Sequence, residues 1–91
     1  MDPDLDDILA YLNRAQIRAT YGAVADVVGG VARGIGARLG ARRPEASWVV
    51  AEKTGLPTDY EKSEMHPKLR SKARVLTSGA ALRRAMENES Q

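Results

Sequence analysis

The stretch Thr20-Tyr21-Gly22-Ala23-Val24-Ala25-Asp26-Val27-Val28-Gly29-Gly30-Val31-Ala32-Arg33-Gly34-Ile35-Gly36-Ala37-Arg38-Leu39-Gly40 decides the fold. Thr20 is a residue type that caps helices, and Val24, Val27 and Val28 give an apolar side to a helix over about 20–28. Gly29-Gly30 then breaks the pattern with a turn. A further helix is expected from about Val31 to Arg42, with Pro44 as its stop. Two short helices around a tight glycine turn are the sequence form of a helix-turn-helix unit.

Working outward, Asp4 can cap an earlier helix over about 4–15, with Asp6 and Asp7 in the first turn where the dipole favours acids. Leu5, Ile8, Leu9 and Leu12 form its apolar stripe. Ile17 to Thr20 reads as a short extended connector. On the other side, Ser47-Trp48-Val49-Val50-Ala51 is rich in β-formers and is expected to be a strand. Lys53-Thr54-Gly55-Leu56-Pro57 follows as a turn or wing. The segment from Pro57 to Lys72 is polar and irregular, with one helical turn near Ser63–Met65. Arg74-Val75-Leu76 is a short extended return, and Ser78 or Thr77 caps a last helix over about 78–87. Residues 88–91 are expected to fray. The fold class expected is mainly α with a small β wing, a single winged helix-turn-helix domain over 1–91.

The 91 residues suit one domain with a modest core. Phe is absent, so the core must be mostly aliphatic around Trp48, Tyr11, Tyr21 and Tyr60. Without cysteine there is no disulfide, zinc-thiolate site or thiol nucleophile. No apolar run approaches the roughly 20 residues of a membrane span, and the acidic start is unlike a signal peptide, so a soluble, cytoplasmic protein is expected. The net charge of +2 is small, but its distribution is uneven. Residues 8–44 hold six arginines and one acid, Asp26; residues 68–84 hold Lys68, Arg70, Lys72, Arg74, Arg83 and Arg84 and no acid. Two basic tracts able to share a face are the footprint expected for a polyanion, against the plainer reading of ordinary solvated charges.

On a helical wheel from Val31 to Arg43, Val31, Ala32, Ile35 and Leu39 fall on one side, expected to face the core. Arg33, Gly36, Ala37 and Gly40 lie opposite, and Arg38, Arg42 and Arg43 flank the stripe with stems that can snorkel outward. Each interior glycine costs a helix about 1 kcal/mol relative to alanine. A smooth face beside one long arginine suits a helix pressed closely on another surface, such as a DNA groove. The alternatives are close packing on a second helix inside the domain and a helix of low stability.

Ala19-Thr20-Tyr21-Gly22, then Ala32-Arg33-Gly34-Ile35-Gly36-Ala37-Arg38-Leu39, then Ser47-Trp48-Val49-Val50 with Gly55-Leu56 resemble the DNA-binding part of alkylguanine-DNA alkyltransferases and of alkyltransferase-like proteins. The resemblance covers about residues 17–57 and rests on the order and spacing of short motifs. It implies a helix entering the minor groove, with Arg33 taking the space of a base rotated out of the stack and Tyr21 beside the backbone at that base. Flipping costs a few kcal/mol of stacking, offset by an inserted side chain and phosphate contacts. Gly36, Ala37 and Gly40 would permit the approach, with Arg38, Arg42 and Lys53 as supporting contacts. The family's Pro-Cys-His-Arg site would fall near Glu45-Ala46-Ser47-Trp48, so Ala46 stands at the cysteine position and no alkyl group can be accepted. The His-Arg pair is absent, and the tryptophan is displaced from the place it takes in alkyltransferase-like proteins.

Other constellations carry less. His66 is the single histidine, with no ligand spacing around it; Asp59, Glu61 and Glu64 fit a solvated loop. Gly29-Gly30 with Gly34 and Gly36 lacks the preceding strand and the Gly-Lys-Ser/Thr of a phosphate loop. Trp48 is expected to anchor the core, and Arg83 and Arg84 to answer a helix dipole. No metal site, cofactor pattern or catalytic set is present. The reading is a non-enzymatic duplex-DNA-binding protein; the alternatives are a protein-interaction module docking a partner helix on the glycine face, and a small regulator reading the major groove.

Overall fold

A computed structural model describes residues 4–40, 44–58, 60–69 and 74–89, apart from the side chains of Arg33, Glu45 and Lys62. The chain is mainly helical, with helices α1 (Leu5–Ala15), α2 (Tyr21–Val28), α3 (Ala32–Leu39) and α4 (Gly79–Glu89). Three short strands, β1 (Arg18–Thr20), β2 (Val49–Val50) and β3 (Val75–Leu76), make one sheet in the order β2-β1-β3.

Local chemistry sets the helix ends. Asp4 accepts the Asp7 N–H at 2.8 Å while the Asp7 carboxylate accepts the Asp4 N–H at 3.2 Å, a reciprocal cap that starts α1. Gln16, with φ +59°, closes it and turns the chain into β1. Thr20 Oγ1 accepts the Ala23 N–H at 3.0 Å and so caps α2, as its residue type predicts. Gly40, with φ +74°, ends α3 before the expected stop at Pro44. Ser78 caps α4 by accepting the Ala81 N–H at 3.1 Å. That helix continues to Glu89, two residues past the expected end at 87, and Glu89 pairs there with Arg14 at the last turn of α1.

The connector at 17–20 is the centre of the sheet. Both of its neighbours run parallel to it: Ala19 lies opposite Val49 and Leu76, Thr20 opposite Val50, and Arg18 opposite Val75. Parallel pairing needs crossovers, here α2–α3 between β1 and β2, and it buries the strands, in keeping with the apolar Val49-Val50 and Val75-Leu76 on either side of β1. The small β component is therefore internal. Among the described residues no antiparallel hairpin forms a wing; residues 51–56 fold as a turn closed by Gly55 N–H to Ala51 O at 2.8 Å and Ala51 N–H to Leu56 O at 3.0 Å.

One core joins these elements. Ile8 and Leu12 from α1, Val24 from α2, Ile35 from α3, Trp48 and Val49 around β2, and Leu82 from α4 are all buried in it. Trp48 is its largest member, and its indole N–H donates to Asn13 Oδ1 at 3.0 Å, so the buried donor is satisfied. Helix α2 is the hub, packed against α3 on one side and α4 on another. Among the described residues no helix is long and apolar enough to cross a membrane.

Candidate nucleic-acid interface

Helix α3 places the residues on which a contact surface depends. Ile35 and Leu39, one turn apart, carry its buried side. Val31 and Ala32, expected beside them, are exposed. Val31 is the N-cap, with extended φ −118° and ψ 154°, so the wheel does not apply to it; Ala32 opens the helix and is exposed in its first turn. The opposite face holds Gly36 and Ala37, both exposed, with the Arg33 backbone in the first turn.

The glycines of α3 separate by cause. Gly40 has a backbone that L side chains rarely adopt, so the helix end requires it. A Cβ on Gly34 would touch Val31 Cγ2 at 3.9 Å, an ordinary contact. A Cβ on Gly36 would meet nothing within 4 Å. Close packing inside the domain, one explanation for these glycines, therefore does not apply to Gly36. The fold does not need a glycine there.

Two arginines meet at the C-terminal end of α2. Arg38, exposed on α3, donates from Nη1 to Gly29 O at 3.2 Å, and Arg83 of α4 donates from Nη2 to Val27 O at 3.5 Å. Both answer the negative pole of α2 and its last carbonyls. One arginine from each basic tract of the sequence thus reaches this helix end. A guanidinium carries five N–H donors, so Arg38 retains capacity for an anion while held in place.

Tyr21 and Lys53 lie toward the other end of α2. Tyr21 opens the helix, half-buried, and its hydroxyl accepts the Thr58 N–H at 3.1 Å. Its own proton remains to donate. Lys53 is exposed on the 51–56 turn. That turn is pinned by Arg18, whose Nη1 donates to Gly55 O at 2.9 Å. Gly55 has φ +69°, and a Cβ there would sit 3.2 Å from the Arg18 guanidinium, so glycine is required. From Tyr21 to Gly29 the helix rises about 12 Å. The expected site residues thus form two groups, Tyr21 with the Lys53 turn at one end of α2, and Arg38 with the outer face of α3 at the other. Arg42 lies outside the described residues.

Sequence reasoning missed Arg18, Gly55 and Arg83 as positioning groups. Arg18 carried a signal, being a charge inside the apolar run Ile17–Thr20. Arg83 was expected to answer the dipole of its own helix, but α4 runs on past it and its acceptor is a backbone carbonyl of α2, 56 positions away.

The remaining polar residues are spent on structure. Ser47 Oγ donates to Pro44 O at 2.7 Å and accepts the His66 backbone N–H at 2.9 Å, so Ser47 and His66 meet without the imidazole facing the hydroxyl. The His66 ring lies 4.8 Å from Trp48, tilted 45°, and its Nδ1 accepts the Lys68 N–H at 3.1 Å. Ala46, where the resembling family has its cysteine, is fully buried. Asp59 lies outside the described residues, and among those described no three His, Cys, Asp or Glu gather as metal ligands. Comparisons with protein-family models, curated proteins and solved structures give no match for this chain.

Proposed function

We propose that this chain is a non-enzymatic DNA-binding protein that docks α3 on duplex DNA as the second helix of a helix-turn-helix of the winged kind, with a turn where the wing would stand. The observation that carries the reading is Gly36: an exposed helix position, open on every side, that keeps a residue costing about 1 kcal/mol of helix stability. A close approach by an outside surface accounts for that cost. Charge identifies the surface, since α3 and its flanking turns carry Arg33, Arg38 and no acid.

In this reading Gly36 and Ala37 let the α3 backbone approach the groove, and Arg33 fills the space of a flipped base, as the resemblance to the alkyltransferase-like proteins implies. Arg38, held at Gly29, contacts phosphate, with Arg42 next along the chain. Tyr21 lies beside the strand at the far end of α2, and Lys53 on the 51–56 turn acts in the place of a wing. Ala46 removes alkyl transfer, leaving binding to plain or modified duplex as the activity and the cytoplasm as its setting. Beside the arginines the exposed α3 face holds only Gly36 and Ala37, which offer no side-chain hydrogen bond to a base edge, and this smooth face favours close approach in the minor groove over a major-groove readout. Fluorescence-anisotropy titration of a short duplex at two salt concentrations tests the reading. Phosphate contacts predict affinity that falls steeply with salt; salt-insensitive binding would contradict it.

A further inference from the structure

The sequence breaks a local rule at the start of α3. N-cap positions favour Ser, Thr, Asp or Asn, yet the cap is Val31, and no side chain accepts a hydrogen bond from the first turn. The same residue is 69% exposed, the one large hydrophobic left outside among the described residues. A poor cap that also exposes an apolar side chain lowers stability and solubility together, with no return inside the fold.

Its setting gives it a shape. Gly29 and Gly30 precede it with positive φ and no side chains, and exposed Ala32 follows. Val31 therefore projects from a surface with little bulk around it. It is also stiff: a β-branched side chain has few χ1 choices, and one methyl rests beside Gly34. Arg33 is two residues on, in the first turn of the same helix.

We propose that Val31 is an apolar wedge, pressed against or between base pairs where the start of α3 meets the duplex. The inference rests on the DNA-binding reading and adds to it a residue that reads no hydrogen bond. Rigid apolar side chains at such points unstack a base step and bend the duplex. Charge selects DNA as the occupant over an apolar protein surface, because the Arg38 guanidinium stands at the Gly29-Gly30 turn that precedes Val31 and residues 27–44 carry no acid.

The test is Val31→Ser, which moves two readouts in opposite directions. Serine supplies the missing cap, so the melting temperature rises by about 4 °C or more. Loss of the wedge weakens duplex binding about tenfold, the size expected for one buried valine, and reduces bending measured by energy transfer between end-labelled strands. Val31→Ile keeps both affinity and bend. A Val31→Ser protein that is more stable but binds and bends DNA like the wild type overturns the wedge and leaves the DNA-binding reading standing. A wild-type protein that binds no duplex defeats that reading instead.

Discussion

The Asp26 carboxylate accepts the backbone N–H of Gly79 at 3.3 Å, joining the middle of α2 to the first residue of α4. Asp26 is the single acid in the arginine-rich tract of residues 8–44, and it faces the positive end of a helix. The contact is close enough that Gly79 is buried and a Cβ built on it would collide with Asp26 Cβ. Since α4 carries Arg83 to the end of α2, this junction helps set where Arg83 lies.

Gly79→Ala should therefore destabilise the protein by about 1–3 kcal/mol, the usual cost of forcing extra volume into a packed contact. Denaturant unfolding measures it. Gly22→Ala is the control: its Cβ would meet only Thr20 Oγ1 at 3.9 Å, and it should be neutral or stabilising. Equal effects at both glycines would show that the α2–α4 contact is not tight.

Asn13→Ala leaves the Trp48 N–H buried without its acceptor and should cost about 1–3 kcal/mol. Trp48 is the only tryptophan, so its emission follows unfolding directly. An unchanged midpoint would mean that water replaces Asn13.

Burial, and then the nearby charge of Glu89, raises the Tyr11 pKa above 10.0. The folded state thus keeps the phenol protonated to higher pH than the unfolded chain does. The stability this provides is fully present below about pH 10 and is lost as pH rises through the folded value. Alkaline unfolding followed by circular dichroism should be shallower in Tyr11→Phe. An identical alkaline limb in both proteins would assign that loss to other groups.

Gly36→Gln separates folding from binding. Replacing an open, exposed helical glycine with a good helix former should stabilise the fold by up to about 1 kcal/mol. The same side chain should hold α3 off the duplex and weaken binding. A more stable variant with unchanged DNA affinity would show that the outer face of α3 touches nothing.

Much of the fold was legible where local chemistry decides it. Asp4, Thr20 and Ser78 cap helices because their side-chain oxygens meet nearby N–H groups, a rule that needs no tertiary knowledge. Trp48 in the core follows from its size. The extended segments at 17–20, 47–51 and 74–76 were legible, but their pairing was not: residues 18–20 look like a connector until partners at 49–50 and 75–76 arrive from far along the chain. Of the turn or wing expected at 53–57 the turn forms, because residues 51–56 close on themselves through Gly55 N–H to Ala51 O and Ala51 N–H to Leu56 O. Val31 was misplaced because a wheel assumes helical backbone where the chain is still extended. Within the site, the type and order of residues were readable, whereas their division between the two ends of α2 depends on packing.

The most direct test of the DNA-binding account compares wild-type protein with Arg33→Ala by fluorescence anisotropy, on plain duplex and on duplex carrying an alkylated guanine, at low and higher salt. The account predicts wild-type binding at low salt that falls steeply as salt rises. It also predicts weaker binding by Arg33→Ala, most of all on any duplex whose base is rotated out. Absence of binding to either duplex at low salt would contradict the account and favour a protein partner for the open face of α3.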